Sequence, residues 1–120
     1  MSKGRHLILD LYDCDPGILD DYDELTRLLE AALNMAGATI LRIFGEKFEP
    51  QGVTILALLA ESHASVHSWP ELGYAAVDLY TCGTATATDK AAEFLIHKLG
   101  SKHQMQQDLV RNSTKEENVA

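Results

Sequence analysis

The sequence predicts an α+β fold: a two-layer sandwich of an antiparallel sheet with two helices on one face. Three observations lead there. Short aliphatic or β-branched runs are separated by Pro- and Gly-bearing turns, two segments carry apolar residues at helical spacing, and strict strand-helix-strand alternation is missing. At 120 residues the chain is one domain, 1–120, able to bury a core without disulfides or a structural metal.

The elements follow in order. "RHLILDLYDC" (Arg5–Cys14) sets Leu7, Leu9 and Leu11 on one face of a strand. "DPGILDDYDELTRLLEAALNMAG" (15–37) then spaces Leu25, Leu28, Leu29, Ala32, Leu33 and Ala36 as one helix. Its acids gather at the start and Gly37 stands just past the end. The acids Asp10, Asp13, Asp15, Asp20, Asp21, Asp23 and Glu24 miss the calcium-loop spacing and read as a solvated cluster favoured by the helix dipole. "ATILRIFGEKFEP" and "GVTILALLAES" read as two strands joined at Pro50-Gln51-Gly52, and "SHASVHSW" and "YAAVDLYTC" as two more around Pro70 to Gly73. Ala91, Ala92, Leu95, Ile96 and Leu99 mark a second helix across 85–99, stopped by Gly100. The segment 101–120 offers one last strand ahead of a polar, mobile tail.

The composition narrows the function. A formal charge of −8 without a basic patch argues against a nucleic-acid partner. The longest apolar run, "VTILALLA" (53–60), is far short of the ~20 residues of a membrane helix, and "MSKGRH" has no apolar signal region behind it. A cytoplasmic protein with no membrane partner is expected. Cys14 and Cys82 match no C-x-x-C pattern and read as thiols.

Chemistry concentrates in "AESHASVHSWPE" (60–71). Ser62, flanked by Glu61 and His63, lacks the G-x-S-x-G setting of a hydrolase nucleophile. His63 and His67 would converge on a metal only on a helix, whereas this run is extended, so no metal site is assigned. One chemistry uses every residue type present. A serine hydroxyl attacks the carbonyl before it, the amide becomes an ester, and removal of the serine α-proton eliminates the preceding carboxylate. Hydrolysis leaves a pyruvoyl group, a ketone that forms a Schiff base with a substrate amine and accepts the electrons left by departing carbon dioxide. A base with a pKa near neutrality, such as histidine, suits the proton transfers.

The stretches "GRHLILDLYDCD", "GATI" and "ESHASVHSWPELGYAAVDLYTCG", in this order across about residues 4–100, resemble the bacterial S-adenosylmethionine decarboxylase proenzymes. These are pyruvoyl-dependent enzymes of spermidine biosynthesis. The resemblance implies cleavage between Glu61 and Ser62 into chains 1–61 and 62–120, with Ser62 becoming the pyruvoyl cofactor. It implies His67 as the processing base, Cys82 as the thiol that returns a proton to the substrate carbon, and Phe48 as the aromatic that stacks on adenine. Glu71 is a substrate-binding candidate, although "WPE" reads equally as a turn, and His63 packs or orients. A homodimer of cleaved protomers, with active sites near the interface, is implied as well.

Three features depart from the family pattern. Thr54 replaces a serine that assists processing, with its hydroxyl retained. Glu46, Glu49 and Gln51 surround the stacking position, and a carboxylate there also favours the cationic side chains of arginine or ornithine, which keeps those substrates open. The segment after Gly100 fits the family poorly. Outside enzymes, the alternative is an uncleaved homologue that acts as a binding or regulatory subunit. Strict alternation also sets Ser62 and His67 on opposite strand faces, so a bulge, the fold or a second subunit must bring them together.

Overall fold

In a computed structural model, residues 4–82 and 84–111 are described. Among these residues six strands form one sheet in the order β2-β3-β4-β5-β1-β6, every neighbouring pair antiparallel. The strands are β1 (Gly4–Tyr12), β2 (Ile40–Lys47), β3 (Val53–Leu59), β4 (His63–Trp69), β5 (Tyr74–Thr81) and β6 (His103–Arg111). The helices are α1 (Pro16–Leu19), α2 (Tyr22–Met35) and α3 (Ala85–Lys98). The predicted two-layer α+β architecture is the observed one.

Alternation decides the layering. Leu7, Leu9, Leu11, Val53, Ile55, Ala57, Ala64, Val66, Ala75, Val77 and Leu79 all point to one face and are buried. Against them pack Leu25, Leu28, Leu29, Ala32 and Leu33 of α2 and Ala91, Ala92 and Leu95 of α3. The residues between them on β1, β3, β4 and β5 make up the opposite face, which no helix among the described residues covers.

The single helix expected across 15–37 is two. Asp15 caps α1, its Oδ1 accepting from Gly17 N at 2.8 Å, and Asp21 caps α2, accepting from Glu24 N at 3.0 Å. Asp21 takes extended backbone (φ −103°, ψ 98°), and two caps six residues apart start two helices. The apolar period of α2 survives the break because all its buried residues follow the second cap. Segment 103–111, the one that fitted the family pattern poorly, is β6, hydrogen-bonded along all of β1. The rest of the expected polar tail, from 112 on, lies outside the described residues.

Three connections bear on the site. The β2–β3 hairpin closes where Phe48 N donates to Gly52 O at 2.8 Å. The β3–β4 hairpin turns on Ala60-Glu61, with Leu59 N donating to Ser62 O at 3.0 Å. Between β4 and β5 a 3₁₀ turn, Pro70–Leu72, ends at Gly73 in the left-handed region (φ +63°).

Candidate active site

Expected site residues fall into two groups at opposite ends of β4. At the β3–β4 tip, Glu61, Ser62 and Cys82 line a cavity of about 200 Å³ with Thr81, Leu59 and the segment that follows α2, Ala36 to Thr39. β5 brings Cys82 here because its last residue, Thr81, is buried against Thr88 of α3, with the two hydroxyls 3.2 Å apart. Burial, then a hydrogen bond to the Glu61 carboxylate and its negative charge, raises the Cys82 thiol pKa. The thiol therefore stays protonated at neutral pH. Among the described residues no group of three or more His, Cys, Asp or Glu could hold a metal.

The second group gathers at the other end of β4, with His67 and Thr54 on the uncovered face and Glu71 in a groove beside α1. His67 is flanked by Thr54 of β3, directly across the strand pair, and Thr54 by Glu46 of β2, so Glu46, Thr54 and His67 form one row. The imidazole lies flat on Trp69, with ring centroids 4.0 Å apart and planes within 3°. Phe48 stacks beyond His67 at 6.3 Å, and Trp69, Tyr74 and Tyr12 continue the ladder at 5.0 and 5.3 Å. Glu71 is exposed in the 3₁₀ turn and lines a groove with Asp20, Asp21, Lys47 and Gln51, beside the Phe48 turn. Glu49 is exposed within that turn. His63, near the tip, meets Tyr80 edge-on at 5.4 Å and joins neither group.

This division follows from regular pairing. β4 keeps an unbroken register with both β3 and β5, so no bulge shortens the path between Ser62 and His67. Five residues at ~3.3 Å each separate them by roughly 17 Å.

Comparison with known proteins agrees with the motif. Residues 5–112 match the model of the S-adenosylmethionine decarboxylase family. This chain belongs to that family. It is 54% identical over 100 residues to the S-adenosylmethionine decarboxylase proenzyme of Prochlorococcus marinus (strain MIT 9313), covering 83% of this chain and 80% of that one. To the proenzyme of Methanococcus aeolicus (strain ATCC BAA-1280 / DSM 17508 / OCM 812 / Nankai-3) it is 55% identical over 80 residues, 67% of this chain and 68% of that one. The crystal structure of the adenosylmethionine decarboxylase from Aquifex aeolicus VF5 superposes with a TM-score of 0.87 at 36% identity, covering 99% of this chain and 98% of that chain. The family match reaches through β6, so the C-terminal strand belongs to the family domain.

Two participants escaped the sequence reading. Trp69 was legible in principle: two residues after His67 on a strand, it must share His67's face. The segment after α2, Ala36 to Thr39, had no such signal, since only tertiary packing carries it to the tip cavity.

Proposed function

We propose that this member of the S-adenosylmethionine decarboxylase family is a self-processing, pyruvoyl-dependent decarboxylase. It converts S-adenosylmethionine to the decarboxylated aminopropyl donor of spermidine biosynthesis, in the cytoplasm, as a homodimer of cleaved protomers. The observation that carries the reading is the union of Glu61, Ser62 and a protonated Cys82 in one cavity at a tight turn.

In the cleavage, Ser62 Oγ attacks the Glu61 carbonyl carbon, the C–N bond breaks, and an ester replaces the amide. A base removes the Ser62 α-proton, the ester C–O bond breaks, and Glu61 leaves as a carboxylate. The dehydroalanine left behind takes up water and loses ammonia, leaving a ketone. Ser62 fits this role because its own carbonyl, untouched by these steps, accepts from Leu59 N–H and keeps the residue tethered at the cavity after the chain is cut. The ketone supplies an electrophile for the substrate amine and a sink for the electrons that carbon dioxide leaves behind. Cys82 then delivers its proton to the substrate carbon.

A processing base must come within hydrogen-bond reach of the proton it takes, about 3 Å. At roughly 17 Å along a regular strand, a chain's own His67 fails that requirement. We infer that each site joins Glu61, Ser62 and Cys82 of one protomer with Thr54, His67, Phe48 and Glu71 of a second copy. Cavity size supports this: 200 Å³ is below the ~300–1,000 Å³ of ordinary ligand pockets, so it takes the amino-acid end of the substrate and leaves the adenosyl end to the aromatic platform. The uncovered face bears Phe44, Leu56, Leu58, Met105 and Leu109, all exposed, an apolar surface suited to a copy of itself.

Intact mass of the purified protein tests the cleavage, and carbon dioxide release from S-adenosylmethionine, arginine and ornithine tests the substrate. Two chains, the second with a blocked N-terminus, and turnover of S-adenosylmethionine alone are expected. One uncut chain, or turnover of arginine in its place, contradicts the reading.

A further inference from the structure

Phe48 projects from the β2–β3 turn with nearly half its surface exposed and its ring 6.3 Å from His67, so ring packing alone holds it weakly. What holds its backbone lies elsewhere in the chain. Asp20, at the joint between α1 and α2, directs one carboxylate oxygen to Gly52 N and Lys47 Nζ, each at 2.9 Å. Gly52 O accepts from Phe48 N at 2.8 Å, and Lys47 Nζ also donates to Phe48 O at 3.2 Å. Both polar backbone groups of Phe48 are thus bound by partners that Asp20 itself holds. The joint is fixed to the sheet in turn, because Ser68 Oγ of β4 donates to Leu19 O at 2.6 Å and accepts from Val53 N at 3.0 Å.

We propose that Asp20 is a positioning residue for substrate binding: it clamps the 47–52 turn and so sets the height and tilt of the Phe48 ring over the adenine subsite. This rests on the reading of Phe48 as the stacking residue. Gly52 N–H, Lys47 and the carboxylate form a charge-assisted cluster, and these contacts hold Asp20 ionised, its pKa lowered first by the Gly52 hydrogen bond and then by Lys47. Asp20 touches neither the tip cavity nor His67, so chemistry and self-cleavage do not call on it.

The test is a double-mutant cycle on the full-length, processed protein, read as KM and kcat for S-adenosylmethionine. Phe48→Ala is expected to raise KM about tenfold, and Asp20→Ala by several-fold to about tenfold, with kcat and the yield of cleaved chains of the Asp20 variant near the wild-type values. The decisive reading is the pair: Asp20→Ala adds almost nothing to KM once Phe48 is already Ala. Asp20→Asn retains an acceptor for Gly52 N–H and recovers part of the KM, and it serves in the cycle should the alanine variant fail to fold. An unchanged KM in both Asp20 variants, or KM losses that multiply in the double variant, overturns the inference while leaving Phe48 in its role. An unchanged KM in Phe48→Ala removes the stacking role, and the inference with it.

Discussion

At the scale of the residue, the proposed chemistry depends on Ser62, Cys82 and Glu61 sharing one small cavity. Ser62→Ala is expected to remain a single uncut chain without turnover, read by intact mass and carbon dioxide release. Cys82→Ala should still be cut, since the proton donation we propose for it comes only after processing, and should lose about 10²-fold or more in kcat, the usual contribution of a positioned acid. Burial and the Glu61 carboxylate raise the Cys82 pKa, and the sign of that shift sets a pH dependence. The donor is active while protonated, so kcat should hold past the ~8.5 of an ordinary thiol and fall only as pH rises through the elevated value. A decline already complete below that point would mean that another group limits the alkaline side. The residue types were legible because the 61–83 motif names them; their separation into two groups was foreshadowed only by the opposite faces that alternation gives Ser62 and His67.

At the scale of the element, the sheet is held by alternation and by a few positions with no slack. Gly45 of β2 is one: a Cβ there would lie 2.0 Å from the Thr54 carbonyl oxygen, so Gly45→Ala must push β2 away from β3 just where Thr54 faces His67. Reduced cleavage yield together with a lowered Tm is expected, and wild-type values for both would contradict this placement. Leu29, on the fully buried side of α2 facing the sheet, should cost about 2–5 kcal/mol as Leu29→Ala in denaturant unfolding. The strands and helices could be read from the sequence because Pro- and Gly-bearing turns bound short aliphatic or β-branched runs, β1 alternates roughly, and α2 keeps its apolar period. The break at Asp20-Asp21 could not, since the same acids serve equally as the first turn of one helix or as the caps of two. β6 was legible only as one last strand somewhere in 101–120: every residue in it is exposed, so no buried stripe marks its bounds, and its pairing with β1 is made by backbone hydrogen bonds.

At the scale of the whole molecule, one face of the sheet buries the core and the other carries an aromatic ladder, exposed leucines and a polar network. In that network Asp10 accepts from Tyr74 Oη, and Asp78 pairs with His6 at 3.0 Å. Burial first, then the hydrogen bond and charge of Asp10, push the Tyr74 pKa up to about 12. Such a face suits contact with a second copy, and Leu56→Glu, at its apolar part, should shift the protein toward monomer in sedimentation and abolish cleavage along with it. The most direct test of the composite site is complementation. Ser62→Ala and His67→Ala chains, each uncut alone, are co-expressed with distinguishable tags and weighed intact. If the base comes from the second protomer, the Ser62→Ala chain lends its His67 to its partner, and the His67→Ala chain is recovered cut between Glu61 and Ser62. Should the His67→Ala chain stay whole in every hybrid dimer, the base and the serine belong to one protomer and the composite site is wrong.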